Sequence, residues 1–210
     1  YTAMFFETKT SLMDGAGELS VAVRNDDYSD FGTNTSYTVK GLWDVMEGLT
    51  LRASVGTGFR APGLGDLAAN TTFSADSHTD YVKCNAQGIA RADCVSEQVN
   101  TYISANPNLG PETSESTNIG VIYTIGNHSI AVDLFNTEID GIITGVSVQN
   151  IIDAAILGAS YTATLKSQGA YCERLNGVAD ANLQQCFRNP INGNQTTVAG
   201  TDSVSYTHLT

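Results

Sequence analysis

The sequence predicts an all-β chain: antiparallel strands of a partial transmembrane β-barrel, with two long Cys-containing loops. Three observations carry this prediction. Stretches of about ten residues alternate apolar with polar side chains. Tight turns alternate along the chain with long connections. No run approaches the ~20 apolar residues that a membrane helix needs.

The strands are expected over 2–11, 18–29, 36–45, 49–60, 114–124 and 128–143. In the fourth, Leu49, Leu51, Ala53, Val55, Thr57 and Phe59 share one face, and Thr50, Arg52, Ser54, Gly56 and Gly58 share the other. Pro62, Gly63 and Gly65 then end the pattern. The neighbouring strands repeat it. Leu19, Val21 and Val23 oppose Ser20, Ala22 and Arg24, while Tyr37, Val39, Gly41, Trp43 and Val45 oppose Thr38, Lys40, Leu42 and Asp44. Ile119, Val121 and Tyr123, then Ile130, Val132 and Leu134, complete the apolar set. Each apolar face runs about nine residues, enough to cross the hydrocarbon layer. Trp43 and Tyr123 stand beside tight turns, where an interfacial aromatic girdle belongs.

A soluble sheet with one face in a core alternates in the same way, so periodicity alone does not separate the two readings. The connections do. "MDGAG" (13–17), "MEG" (46–48) and "IGN" (125–127) are tight, and "SDFGTNTS" (29–36) is somewhat longer. By contrast, about fifty residues follow Arg60 and about fifty follow Ile143. Trimming one end of a sheet and elaborating the other is the habit of outer-membrane barrels. The chain opens at Tyr1 on a strand-like run and not on the charged and apolar regions of a signal peptide, as is expected either of a mature terminus or of a piece of something longer.

Composition narrows the function. With 41% hydrophobic and 15% charged residues the chain is not disordered, and a net charge of −12 argues against a nucleic-acid partner. Cys84 with Cys94, and Cys172 with Cys186, read best as disulfides that close surface loops in an oxidising compartment, with the other pairings open. Asp76, His78 and Asp80 alternate on one loop, but three such ligands do not name a metal, and a solvated acidic loop explains them more simply. No Ser/His/Asp, Cys/His or paired-carboxylate spacing demands catalysis, so neither an enzyme activity nor a metal or cofactor is expected.

Four segments carry a family resemblance. "DDYSDFG" (26–32), "GLTLRASVGTGFRAP" (48–62), "NPNLGPETSESTNIGV" (106–121) and "HSIAVDLFNTEIDGIIT" (128–144) resemble, in order, the later barrel strands of TonB-dependent outer-membrane receptors. In the two central motifs, Gly58, Phe59, Arg60, Ala61 and Pro62 close one strand. Asn106, Pro107, Asn108, Leu109, Pro111, Glu112 and Thr113 open the next. Pro62 and Pro111 have no amide to donate and mark where the ladder ends, with Arg60 and Glu112 expected near one another across that rim. All are read as structural. The segment 151–176 is similar to the helical, Cys-bearing extracellular loop of many members.

The resemblance implies a barrel of about 22 strands around a plug. Such a receptor sits in the bacterial outer membrane among lipid and captures a scarce extracellular nutrient: a ferric siderophore, cobalamin, haem or a saccharide. Its import is driven by the TonB complex, which contacts an N-terminal region. This sequence shows no plug, no TonB-contacting box and no final strand ending in an aromatic residue, so residues 1–203 are expected to be a piece of the barrel that does not fold unaided. "VSYTHLT" (204–210) resembles translated sequencing-adapter DNA and is expected to be non-biological. Ligand contacts are expected from the loop aromatics and charges Phe73, His78, Tyr81, Arg91, Tyr102, Tyr161, Tyr171 and Arg174. The competing class is a secreted soluble β-rich adhesin or carbohydrate-binding module. It requires the apolar strand faces to meet across a closed core.

Overall fold

The computed structural model describes residues 1–29 and 32–207. In chain order the strands β1 (Thr2–Leu12), β2 (Gly17–Tyr28), β3 (Gly32–Met46) and β4 (Leu49–Arg60) come first. They are followed by α1 (Leu64–Ala68), β5 (Thr72–Thr79), α2 (Tyr81–Ala86), β6 (Ser96–Ile103), β7 (Glu112–Ile125) and β8 (His128–Asp140). Then come β9 (Ile143–Gly145), α3 (Val148–Leu157), α4 (Ala159–Ser167), β10 (Tyr171–Arg174), β11 (Leu183–Arg188), β12 (Pro190–Asn192) and β13 (Thr196–Thr207). These elements divide into two compact units. One holds Tyr1–Ala61, Pro111–Ile142 and Asn194–Thr210; the other holds Pro62–Gly110 and Ile143–Gly193.

The first unit is one antiparallel sheet in the order β1-β2-β3-β4-β7-β8-β13. Its register carries the expected apolar residues onto a single face. Leu19 pairs with Gly41 and Val21 with Val39; Trp43 lies opposite Leu51, which lies opposite Val121, which lies opposite Val132. That face has no protein against it. Among the described residues every buried apolar side chain belongs to the second unit, while Trp43, Ile119, Tyr123, Ile130 and Leu134 are exposed. A closed soluble core is therefore not what this sheet builds.

The turns explain themselves locally. Met13, Asp14 and Gly15 all take positive φ between β1 and β2. Gly48, at φ +77°, ends the β3–β4 turn where a Cβ would lie 2.3 Å from the Thr124 carbonyl, so the close approach of β7 demands glycine. Gly120 answers a different constraint on the polar face. Arg52 of β4 reaches over it to make a two-armed ion pair with Asp133 of β8, Nε to Oδ1 at 2.8 Å. A Cβ at Gly120 would fall 2.0 Å from that carboxylate.

Two expected strand bounds need correction: β3 begins at Gly32, not Ser36, and β8 ends at Asp140, not Ile143. The polar run Thr33–Thr35 still pairs with β2, aided by side-chain bonds from Thr33 to Asp27 (2.9 Å) and from Asn25 to Thr35 (2.8 Å). Strand ends that stand in water need no apolar alternation. Val204–Thr207 continue the β13 ladder opposite Ala131–His128. This concerns their conformation and not their origin. The two long, partly helical, Cys-containing segments also carry short strands, and together they form a compact unit with sheets of its own. Asp30 and Phe31 of the first motif, and His208–Thr210 of the tail, lie outside the described residues.

The second unit centres on a four-stranded sheet, β10-β11-β6-β5, in which β6 and β11 run parallel. α3 covers one face. Val148 and Ile152 pack on Val99 and Cys186, and Ile151 and Ala154 join Val146, Leu165, Ala170 and Ile191. The helix starts where "SVQN" forms a capping box: Ser147 Oγ accepts from the Asn150 amide at 3.0 Å, and Asn150 Oδ1 accepts from the Ser147 amide at 3.2 Å. Disulfides join Cys84 to Cys94 and Cys172 to Cys186. The second spans 14 positions in sequence; closing a loop of about 15 residues contributes about 3 kcal/mol in the chain-entropy model.

The sheet of the first unit yields a direct test. In the full receptor containing this segment, Ile119→Arg, on the apolar face, is expected to destabilise the barrel in lipid vesicles by about 2–4 kcal/mol near the midplane, whereas Ser116→Arg on the opposite face costs little. Urea titrations of the two variants in vesicles check the difference.

Candidate functional site

The candidate ligand surface lies in the second unit. Register places one aromatic residue from each strand in a row: Tyr171 opposite Phe187, Phe187 beside Tyr102, Tyr102 opposite Phe73. The rings contact in sequence. Tyr171 and Phe187 stack at 4.8 Å between centroids, Phe187 and Tyr102 stack at 5.6 Å, and Phe73 meets Tyr102 edge-on at 5.8 Å. Such contacts contribute about 0.5–1.5 kcal/mol per pair beyond their buried area. Lys166 lies 5.8 Å over the Tyr171 ring. Because the three stacked rings, Tyr102, Phe187 and Tyr171, spend faces on one another, the row offers edges and two phenol hydroxyls; Phe73, 63% exposed, is its open end. Beside the row Gln185 donates to Glu173 at 2.6 Å.

A second feature is a cleft of about 570 Å³ lined by Tyr81, Val82, Asn85 and Ile89 with Ile156 of α3. Arg91 also lines it, with its guanidinium 4.0 Å over the Tyr81 ring. Among the described residues Arg91 is the one arginine without a carboxylate partner: Arg24, Arg52, Arg60, Arg174 and Arg188 pair with Asp26, Asp133, Glu112, Asp80 and Asp76. A cation held over a ring in a partly apolar cleft is suited to an anionic ligand with an apolar body.

The eight expected ligand residues thus divide. Phe73, Tyr102 and Tyr171 share the row, and Tyr81 and Arg91 share the cleft. Tyr161 stands apart on α4. Arg174 and His78 face the interior, contrary to expectation. Arg174 makes two 2.7 Å bonds to Asp80, which is 2% exposed and also caps α2 through the Lys83 amide at 3.1 Å. Burial penalises the Asp80 charge, but the Arg174 guanidinium and the Lys83 amide outweigh it and hold the carboxyl below the usual carboxylate range. His78 is 4% exposed on the α3-covered face, and neither ring nitrogen has a hydrogen-bond partner. Asp76 pairs with Arg188 at 3.1 Å. Both carboxylates of the Asp76–His78–Asp80 series are therefore already neutralised by arginine. Phe187 was missed, since its place in the row depends on a parallel pairing between segments some eighty residues apart.

The motif residues have structural positions. Arg60 and Glu112 are register partners, joined by a two-armed ion pair with Nε to Oε2 at 2.6 Å. Gly58 lies opposite Ser114 and Phe59 opposite Thr113, while Ala61, Pro62 and Pro111 follow and precede the strand ends. Asn106 is buried and ties three segments together: its amide donates to the Asp66 carbonyl at 2.7 Å, its side chain to Pro190 at 3.0 Å, and its Oδ1 accepts from Asn108 at 3.0 Å. Pro107 and Asn108 are exposed, and Leu109 is buried. Gly110 and Asn192 exchange two 2.9 Å bonds.

The profile of the TonB dependent receptor-like β-barrel family matches residues 2–201. The chain belongs to the TonB-dependent receptor β-barrel family. Its fold is that of solved siderophore receptors. Against PirA from Pseudomonas aeruginosa the identity is 18% and the TM-score 0.59, covering 96% of this chain and 30% of that one. Against PirA from Acinetobacter baumannii the values are 14% and 0.65, covering 97% and 25%. A mutant ferric enterobactin receptor from Pseudomonas aeruginosa, in complex with enterobactin, gives 18% and 0.65, covering 96% and 24%. The chain thus spans less than a third of the length of these receptors, and at these identities the likeness establishes the fold.

Two predictions follow from the polar contacts. The Asp80 carboxyl binds its proton less readily folded than unfolded. Its contribution is therefore complete above the unfolded carboxylate range and falls away as pH drops through the lower folded value. Asp80→Asn should flatten that acid limb and cost about 3–5 kcal/mol by leaving Arg174 buried and unpaired; thermal melts between neutral and acid pH check both. Asn106→Ala, which leaves the Pro190 carbonyl and the Asn108 amide short of a partner, should cost about 1–3 kcal/mol, read as faster amide exchange across β12.

Proposed function

We propose that the chain is a stretch of barrel wall with two extracellular loop segments from an outer-membrane active transporter. In this reading the receptor captures a scarce nutrient of the ferric siderophore, cobalamin, haem or saccharide class, and energy transmitted by TonB imports it. The observation that carries the reading is the seven-stranded sheet itself: one face apolar and bare of protein, the other polar with the Arg52–Asp133 pair. Such a face is at rest only against lipid. The soluble adhesin lacks support, because it needs the apolar faces to meet one another.

Residues 1–203 are the receptor segment in this reading and 204–210 a non-native tail. The ligand is met by the Tyr81–Arg91 cleft and by the Phe73–Tyr102–Phe187–Tyr171 row, whereas Arg174 fastens the unit through Asp80 and His78 lies in its interior. TonB acts through a region N-terminal to this segment.

The test is uptake by cells whose only receptor is the full gene containing this segment, challenged with radiolabelled ferric siderophores, cobalamin, haem and oligosaccharides. One class is expected to enter, and only when TonB is present. Arg91→Ala should raise the half-saturating concentration about tenfold for an anionic ligand, with surface abundance unchanged. Uptake indifferent to TonB would overturn the proposal.

A further inference from the structure

The two disulfides of the second unit stand in different surroundings. Cys172 and Cys186 are register partners of β10 and β11, already joined by the ladder. Cys186 is fully buried and packs among Val99, Val148 and Ile152. Cys84 and Cys94 belong to neither apolar cluster. Cys84 lies on α2 and lines the Tyr81–Arg91 cleft.

The ring and the cation of that cleft are anchored unequally. Tyr81 opens α2, whose first turn is fixed by Asp80: its carboxylate accepts from the Lys83 amide and pairs with Arg174 of β10. Arg91 sits instead on the turn Arg91–Asp93, between α2 and β6. Nothing apolar draws that turn inward, because Ile89, Ala90, Ala92 and Val95 are all exposed. The Asp93 amide bonds the Ala90 carbonyl at 2.9 Å, which closes the turn on itself. Two ties bring it back to α2, and both end on Cys84. The Cys84 carbonyl accepts from the Ile89 amide at 2.8 Å, and the Cys84 sulfur is bonded to Cys94. Arg91 lies between these two tied positions.

We propose that the Cys84–Cys94 bond is a positioning element of the ligand cleft: it holds the Arg91 turn against α2 and so keeps the guanidinium over the Tyr81 ring. With the bond in place, the cation is ordered before an anionic ligand arrives. Without it, one backbone hydrogen bond remains between the turn and α2, and the ligand must order both the turn and a rotamer-rich arginine as it binds. That cost falls on affinity. It does not fall on the folded unit, whose core clusters, sheet ladders and second disulfide lie elsewhere. The inference rests on the reading of the cleft as a ligand site, and every contact it uses is internal to the second unit.

The test uses the full receptor containing this segment, with 3-fluorotyrosine in place of Tyr81 and its fluorine resonance read in detergent. Arg91→Ala is expected to move the resonance, and Cys84→Ala with Cys94→Ala should move it to the same position. Benzoate, an anion with an apolar ring, is then titrated and followed by the same resonance. The cysteine pair should weaken its binding about tenfold, as Arg91→Ala does, and the three substitutions together should weaken it no further. Surface abundance in cells should be unchanged by the Cys84–Cys94 pair and lowered by Cys172→Ala with Cys186→Ala. A native resonance in the Cys84–Cys94 variant overturns the proposal. So does a fall in its surface abundance, or a loss of benzoate binding that multiplies with that of Arg91→Ala. If benzoate does not saturate the unsubstituted receptor, or binds it no better than the Arg91→Ala variant, the reading of the cleft fails. The resonance of the cysteine variant then still decides whether the bond holds the cation.

Discussion

Register is the constraint on which the larger sheet depends. Side chains in a strand alternate with a period of two, so a slip of one residue in any pairing would carry Leu51 or Val121 to the polar face and Arg52 to the apolar one. Six pairings join the seven strands in one phase, with a register shift between Asp44 and Met46 at the turn end of β3 and β4. The glycines are placed where that phase brings backbone or charge too close for a side chain, as at Gly48 beneath Thr124 and Gly120 beneath Asp133. The Arg52–Asp133 pair in turn spans three strands on the polar face, and it can form only while β4, β7 and β8 keep their phase.

The second unit is held by different means. Its apolar core is small and divided into two clusters. Two stretches of chain, one before β7 and one after β8, must be fastened together by specific polar contacts. Asp80 and Arg174 do this on one side, and Asn106 with Pro190 and Gly110 with Asn192 do it on the other. Such contacts contribute modestly when made and cost much when half-broken. They suit a unit that must keep a defined surface on a thin core, and disulfides within each stretch add to the constraint.

The division of labour between the units explains which candidate residues carry over. The candidate ligand residues share a type, aromatics and charges in long polar segments, and not a place. Five of the eight reach the row or the cleft, where Phe73, Tyr102 and Tyr171 contact neighbouring rings and Arg91 lies over Tyr81. Arg174 and His78 did not, because β5 and β10 turn them inward, where Asp80 takes the arginine. Phe187 completes the row only because β6 and β11 run side by side, a pairing no local pattern announces.

What the sequence determined by itself is whatever depends on near neighbours. Strand alternation, the tight turns, the motif prolines and the phase of the apolar face are properties of residues a few positions apart, and two-residue periodicity survives without any knowledge of the partner strand. Only the tertiary structure decided that the two long segments form one folded unit and that four aromatics from four strands make a row. Those features rest on pairings across tens of residues. Their partners are selected by packing and hydrogen bonding in three dimensions, and that selection leaves no periodic trace in the chain.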